Sequence, residues 1–284
     1  MTRSTQLSLS EAIATHVEDG DVVALEGFTH LIPFAAGHEI IRQGRRDLTV
    51  VRMTPDVIYD QLIGMGCVAR MIFSYGGNPG VGSLHRMRDA VENDWPASID
   101  LIEHSHAGLA NAYVAGASRL PFGVLKGYAG TDLEERGRQS GAIAFVECPF
   151  TGQRLSAVRA INPDVTVIHA QQADRDGNVM LWGLTGVQKE AVLAADRAIV
   201  TVEEIVDELA PRPHAIVLPS WVVTAVAHVP NGAWPSYAHD YSKRDNRFYA
   251  AWDEIARDRE RFRAWMEEHV LSASGDTATV GGEP

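Results

Sequence analysis

LSEAIATHVEDGDVVALEGFTHLIPFAAGHEII, residues 9–41, holds in one stretch the alternation that decides the fold. Residues 9–16 carry apolar side chains at helical spacing. Ser8 or Ser10 is the candidate N-cap and Glu11 falls in the first turn, where an acid complements the helix dipole. Gly20-Asp21 then turns the chain into VVAL at 22–25, a short apolar run of buried-strand type. Gly27-Phe28-Thr29 follows at once, and a second helix is expected from near Pro33 to Ile41.

Moving outward, the same unit recurs. Strands are expected at 48–52, 71–75, 99–103, 165–170 and 197–202, with helices at 59–63, 107–117 and 185–195 and a turn at Asp176-Gly177-Asn178. Repeated strand–helix units predict an α/β fold, a mainly parallel sheet with helices on both faces. In such sheets ligands bind beyond the C-terminal strand ends. Residues 247–270 read as one charged helix whose Phe248, Trp252, Ile255, Phe262, Trp265 and Met266 pack onto the body. The domain expectation is a single α/β unit over 1–271 followed by a disordered Ser/Thr/Gly-rich tail at 272–284.

Composition narrows the function. The 284 residues carry a formal net charge of -12, which argues against non-specific binding to nucleic acid or an anionic membrane. The two cysteines, Cys67 and Cys148, are far apart, so neither a disulfide framework nor a zinc cluster is expected. The first residues lack the long apolar core of a signal peptide, and no window reaches membrane-spanning length. A cytoplasmic location is expected.

Three stretches offer chemistry. Gly27-Phe28-Thr29-His30 joins a strand to a helix, where glycine admits a ligand close to the backbone, although a tight turn alone also wants glycine. Residues 74–83, SYGGNPGVGS, place four glycines within seven positions after a strand. Arg86 and Arg88 beyond them supply forked donors for an acid, unless they are solvated helix residues. Glu103-His104-Ser105-His106 sits where a strand meets a helix. A carboxylate beside imidazoles suits acid–base chemistry, and Ser105 equally suits a helix cap. No metal site, Ser-His-Asp triad or phosphate loop is readable.

In their order along 7–266, several segments resemble the α chains of the CoA-transferases that work through a glutamyl-CoA thioester, most of all the glutaconate CoA-transferase branch. Gly27-Phe28 to Pro33 looks like a degenerate form of the signature GGFGxxGxP, with Glu26 where the first glycine is usual. Glu103 to Gly108 matches E-x-S/T-x-x-G. Residues 127–131, GYAGT, match the next glycine loop. Residues 169–178, HAQQADRDGN, resemble the A-x-x-A-D-x-x-G-N turn, Val202 to Val206 a late strand end, and 231–241 a segment near the end of the chain.

The resemblance implies CoA transfer between an acyl-CoA and a small, dicarboxylic acid. It also implies a nucleophilic glutamate on a separate β subunit, in an α2β2 assembly, and coenzyme A present as substrate rather than as a resident cofactor. It makes Gly27 and Phe28 candidates for the CoA side of the site. Ser74, Gly76, Gly77, Asn78 and Arg86 become candidates for the acyl side, with Asn78 donating to a substrate oxygen and Arg86 clamping the far acid. Glu103 is a candidate catalytic carboxylate distinct from the nucleophile. Relatives on the same architecture include ring-opening acyl-CoA hydrolases and acyl-CoA decarboxylases, and a CoA-ester-binding protein without turnover is a third alternative.

Overall fold

The computed structural model describes residues 5–272. Its first half runs β1 (Thr5–Gln6), α1 (Leu9–His16), β2 (Val22–Glu26), α2 (Phe34–Arg42), β3 (Leu48–Arg52), α3 (Val57–Gly64), β4 (Val68–Phe73), α4 (His85–Asn93), β5 (Asp100–Glu103) and α5 (His106–Ala117). An excursion follows through β6 (Phe122–Leu125), α6 (Asp132–Gln139), β7 (Ile143–Glu147) and β8 (Arg154–Arg159). The chain returns through β9 (Val165–Asp174), β10 (Val179–Leu181), α7 (Gln188–Ala194), β11 (Arg197–Val206), β12 (Ile216–Leu218) and β13 (Ala225–His228). It closes on α8 (Asn246–Arg257), α9 (Arg259–Met266) and a π turn, Glu267–Leu271.

The main sheet has ten strands, ordered β1-β13-β11-β9-β2-β3-β4-β5 with β10 and β12 attached beside β9. All neighbours along that path are parallel. From β2 the chain steps outward to β3, β4 and β5, and from β9 it steps the other way to β11 and β13. The sheet therefore has its topological switch point between β2 and β9, where Glu26 pairs with Ile168. A crevice outside the strand ends is expected there.

Alternating strand residues divide the core. Val23, Leu25, Val50, Val165 and Val167 pack against α1, α2, α3 and the C-terminal helices. Ala24 and Val51 face Leu109, Ala112 and Tyr113 of α5 and Ala191 of α7. The expected α/β layering, with helices on both faces, is what the structure shows. Ser8 caps α1 in a full capping box with Glu11, and Ser105 caps α5 by accepting from Gly108 N.

Three features differ from the expectation. Residues 122–159 form a separate antiparallel sheet, β6-β8-β7, that packs through Ile143 and Val158 onto α5. Its strands are four to six residues long and half-exposed, which leaves little periodic signal. β9 and β11 each run ten residues rather than six because their ends pair beyond the sheet, Glu204 with Gln172 through Val206 with Asp174. The single C-terminal helix is two. Asp258 takes an extended conformation and caps α9 through its carboxylate, which accepts from Glu260 N and Arg261 N. The expected tail from residue 273 onward lies outside the described residues.

Candidate active site at the strand ends

Beneath the switch point lies a buried polar cluster. Glu26, the last residue of β2, is 2% exposed. Its Oε1 accepts from Met53 N at 3.1 Å and from the Tyr113 hydroxyl at 2.9 Å. Burial pushes its carboxyl up to about 7, against the pull of nearby Arg52. Arg52, at the end of β3, donates to Asp56 Oδ1 at 3.0 Å and to the Gly27 carbonyl at 2.8 Å. Glu26, Tyr113, Arg52 and Asp56 thus fix the base of the loop that follows β2.

That loop is held in a costly shape. Thr29 and Leu31 sit at φ 57° and 53°, in the left-handed region that glycine enters freely and other residues avoid. A Cβ at Gly27 would lie 2.6 Å from the Leu31 carbonyl oxygen, so only glycine fits there. The strain is balanced by contacts from the segment 232–239. Leu31 N donates to Tyr237 O, Ala35 N to Gly232 O and the Ser236 hydroxyl to Thr29 O. His239 N donates to His30 Nε2 at 2.9 Å. Burial draws the His30 imidazole down to about 4, so it is neutral and accepts that bond.

Across the switch point, His169 of β9 is fully buried. Its Nδ1 lies 2.8 Å from the Thr201 hydroxyl and its Nε2 2.9 Å from Glu203 Oε1. The other Glu203 oxygen accepts from Asn231 N at 2.6 Å. A hydroxyl, an imidazole and a carboxylate lie in a row, but none is open to a substrate. Thr201 is 0% and Glu203 7% exposed. The set ties β9 and β11 to the segment that braces the glycine loop.

The residues singled out from sequence fall in several places. Ser74 follows β4 directly and is half-buried, its hydroxyl donating to Met53 O and lying 3.2 Å from His106 Nδ1. Gly76 packs on Met87, and Gly77 donates its N–H to Pro55 O. Asn78 is 2% exposed and its Nδ2 donates to Tyr249 O at 2.7 Å. That bond uses one of the two N–H donors of the amide expected to face a substrate oxygen. Gly27 is enclosed and Phe28 half-buried against Gly186.

Arg86 requires correction. It is 3% exposed and donates to Asp89 at 3.0 Å and to Arg257 O at 3.2 Å, with its guanidinium over Trp95. It joins α4 to the C-terminal helices and does not reach the loop as an acid clamp. The histidine pair is also divided. His104 turns inward to the Tyr128 hydroxyl at 3.1 Å, while His106 lies exposed beside Ser74. Glu103 ends the edge strand β5, three strands from β2, or roughly 14 Å at the usual strand spacing. Its carboxylate is 39% exposed and stands 3.9 Å from Arg136.

Sequence reasoning passed over Arg52 and Tyr113. Arg52 left a signal, a cation closing an apolar strand. Tyr113 left none, since an aromatic residue inside a helix reads as core. Among the described residues, no group of three or more His, Cys, Asp or Glu side chains is placed to hold a metal ion.

The coenzyme A transferase family profile matches residues 6–228. The chain belongs to this family. Within it, the A subunit of 3-oxoadipate CoA-transferase from Pseudomonas knackmussii is 64% identical over 264 residues, 93% of each chain. The A subunit of glutaconate CoA-transferase from Acidaminococcus fermentans is 33% identical over 94% of this chain and 88% of its own. The crystal structure of glutaconate coenzyme A-transferase from that organism superposes with a TM-score of 0.88, at 32% identity, over 96% of this chain and 90% of that one. A cysteine-to-serine variant of the decarboxylase AibA/AibB follows at a TM-score of 0.78 and 28% identity, covering 94% of this chain and all of that one.

The resemblance to the family's α chains therefore holds over nearly the whole chain, and the structure gives its segments physical meaning. In E-x-S/T-x-x-G, Ser105 caps α5, and a Cβ on Gly108 would run into the Tyr128 hydroxyl. Tyr128 belongs to the next glycine loop and accepts from Ser105 N at 3.1 Å, so the two family segments interlock. In the A-D-x-x-G-N turn, Asp174 accepts from Asp176 N, Asn178 N and Asn178 Nδ2, with Gly177 at φ 83°. The late segment 231–241 braces the degenerate signature loop.

Proposed function

We propose that this chain is the α-type half of a CoA-transferase acting on 3-oxoadipate or a closely similar short dicarboxylic acid. The single observation behind the substrate is the 64% identity to the A subunit of a 3-oxoadipate CoA-transferase over 93% of both chains. The site's charge distribution supports the need for a partner. Glu26 is 2% exposed, Asp56 is held by Arg52, and both Glu203 oxygens are engaged. None of these three carboxylates is free to attack an acyl-CoA, and the resemblance to the family's α chains implies that the nucleophile comes from a β subunit docked over the strand ends, in an α2β2 enzyme. Coenzyme A enters as the acyl-CoA substrate, with no resident cofactor, and the enzyme works in the cytoplasm.

The chemistry then runs in balanced steps. The partner's carboxylate attacks the thioester carbonyl, expelling CoA thiolate and forming a mixed anhydride. The thiolate attacks the enzyme-side carbonyl, which releases the donor acid and leaves CoA on the enzyme as a thioester. The acceptor carboxylate reverses both steps. This chain's part is to position the acyl group and aim backbone N–H groups at oxyanions, which the glycine-bearing loops after β2 and β4 suit.

Co-expression with its β subunit, followed by size-exclusion chromatography and a CoA-transfer assay, tests the proposal. The complex is expected to transfer CoA to 3-oxoadipate in preference to glutaconate, and the chain alone to be inactive. Full activity without a partner would overturn it. Acyl-CoA hydrolysis without an acceptor acid would favour the hydrolase reading, for which the similarity is lower, 23% to one chain of a cholesterol ring-cleaving hydrolase.

A further inference from the structure

With Arg86 held inside the fold, the loop 74–83 takes its cation from elsewhere. Arg244, in the segment before α8, donates from Nη2 to the Pro79 carbonyl at 2.8 Å. Its guanidinium carbon lies 4.2 Å over the Tyr249 ring. Arg244 is half-buried, and no ion pair among the described residues engages it.

A half-buried guanidinium without a counter-ion is unusual, because its desolvation is offset only by a paired anion. The charges around it leave room for one. Arg244 acts electrostatically on Asp56, whose Oδ1 is bonded to Arg52 at 3.0 Å and whose Oδ2 is buried without a hydrogen-bond partner. Two guanidiniums therefore share a single carboxylate. Glu26, the other acid of the cluster, has its carboxyl pushed up to about 7 by burial and does not supply a full negative charge at neutral pH. In a chain with a net charge of -12, this is a local positive excess just beyond the C-terminal ends of β3 and β4. The Pro79 carbonyl and the Tyr249 ring hold the guanidinium in place, and its remaining N–H groups keep the forked geometry that matches a carboxylate.

We infer that Arg244 binds the distal carboxylate of the dicarboxylic acyl group and sets the enzyme's preference for two-ended acids. The inference rests on the CoA-transferase reading and adds the residue that selects the substrate class. Arg244 meets the loop only through the tertiary fold.

The test uses the assembled two-subunit enzyme with wild-type, Arg244→Gln and Arg244→Lys chains. CoA transfer is compared between 3-oxoadipate and 3-oxohexanoate, which carries a methyl group where the second acid was. Loss of a charge-assisted hydrogen bond should lower kcat/KM for 3-oxoadipate roughly ten- to hundredfold in Arg244→Gln, mainly through KM, with 3-oxohexanoate unchanged. Arg244→Lys keeps the charge without the fork and should recover part of the loss. Titration calorimetry of adipate against hexanoate reads the same selectivity without turnover. A complex that transfers no CoA thus refutes the functional reading while the clamp is still tested. Equal losses for both acids, or none, in either variant overturn the clamp, because a residue that only braces Pro79 has no means of telling the two acids apart. Should Arg244→Gln fail to assemble, the Arg244→Lys comparison decides by the same criterion.

Discussion

The Tyr113 hydroxyl donates to the Glu26 carboxylate at 2.9 Å, joining α5 to the end of β2 directly beneath the glycine loop. Both residues are buried, and Met53 N shares the same carboxylate oxygen. Enclosure pushes the Glu26 carboxyl up to about 7 from its ordinary 4.5.

Stability should therefore fall as pH rises across that window. Between about 4.5 and 7 the folded state holds a proton that the unfolded chain has given up, so the contribution is complete below 4.5 and lost through 7. Glu26→Gln removes the titration. Its melting temperature should gain on the wild type from pH 4.5 to 8, by an amount corresponding to roughly 3 kcal/mol at the top of the range. A pH-independent difference between the two proteins would show that Glu26 titrates normally.

Arg86→Met should weaken the fold without changing substrate choice. It strips Asp89 of one partner and Trp95 of one of the three guanidiniums near its ring. Arg259 and Asn93 remain on Asp89, so a loss of about 2 kcal/mol in urea unfolding is expected. The ratio of 3-oxoadipate to 3-oxohexanoate turnover should stay at the wild-type value. A selective loss for the dicarboxylate would return the clamp to Arg86.

Gly108→Ala should cost about 1–3 kcal/mol, because the new methyl group meets the Tyr128 hydroxyl across two interlocked segments. Tyr128→Phe removes that oxygen. The double variant should be less destabilised than the sum of the single changes, and strict additivity in a denaturation cycle would show that the two residues do not collide.

Glu103 and Asp100 end and begin the same short strand. Asp100 pairs with Arg70 in solvent, whereas Glu103 stands at the C-terminal strand end with a partly open carboxylate. In the assembled enzyme Glu103→Gln is expected to lower turnover by roughly tenfold or more, as for loss of an acid–base group, and Asp100→Asn to leave it unchanged. Matching rates from the two variants would reduce Glu103 to an edge residue.

The main parallel sheet was legible because burial leaves a local trace. Residues 22–25 and 48–52 are apolar in short runs bounded by turns, and each became a strand within a residue or so of the expected bounds. The β6-β8-β7 sheet was not legible, since strands such as Phe122–Leu125 alternate exposed and half-exposed residues and carry little contrast. The break at Asp258 was hidden for another reason. Asp is a cap only if its backbone leaves the helix, and the apolar spacing runs straight through it.

The sequence by itself determined the kind of protein this is: alternating strands and helices, glycines where strand ends turn, and family segments in order along the chain. Those signals are local, set by how each short stretch must bury its apolar side and bend its backbone. Only the tertiary structure decided which polar groups meet at the strand ends. Arg86 has Asp89 one helical turn away and Trp95 folded over it, so its charge is satisfied inside the protein. Arg244 reaches Pro79 from far along the chain and finds no acid of its own. Whether a guanidinium is neutralised within the fold or left for a ligand depends on distances across the folded chain, and spacing along the sequence does not encode them.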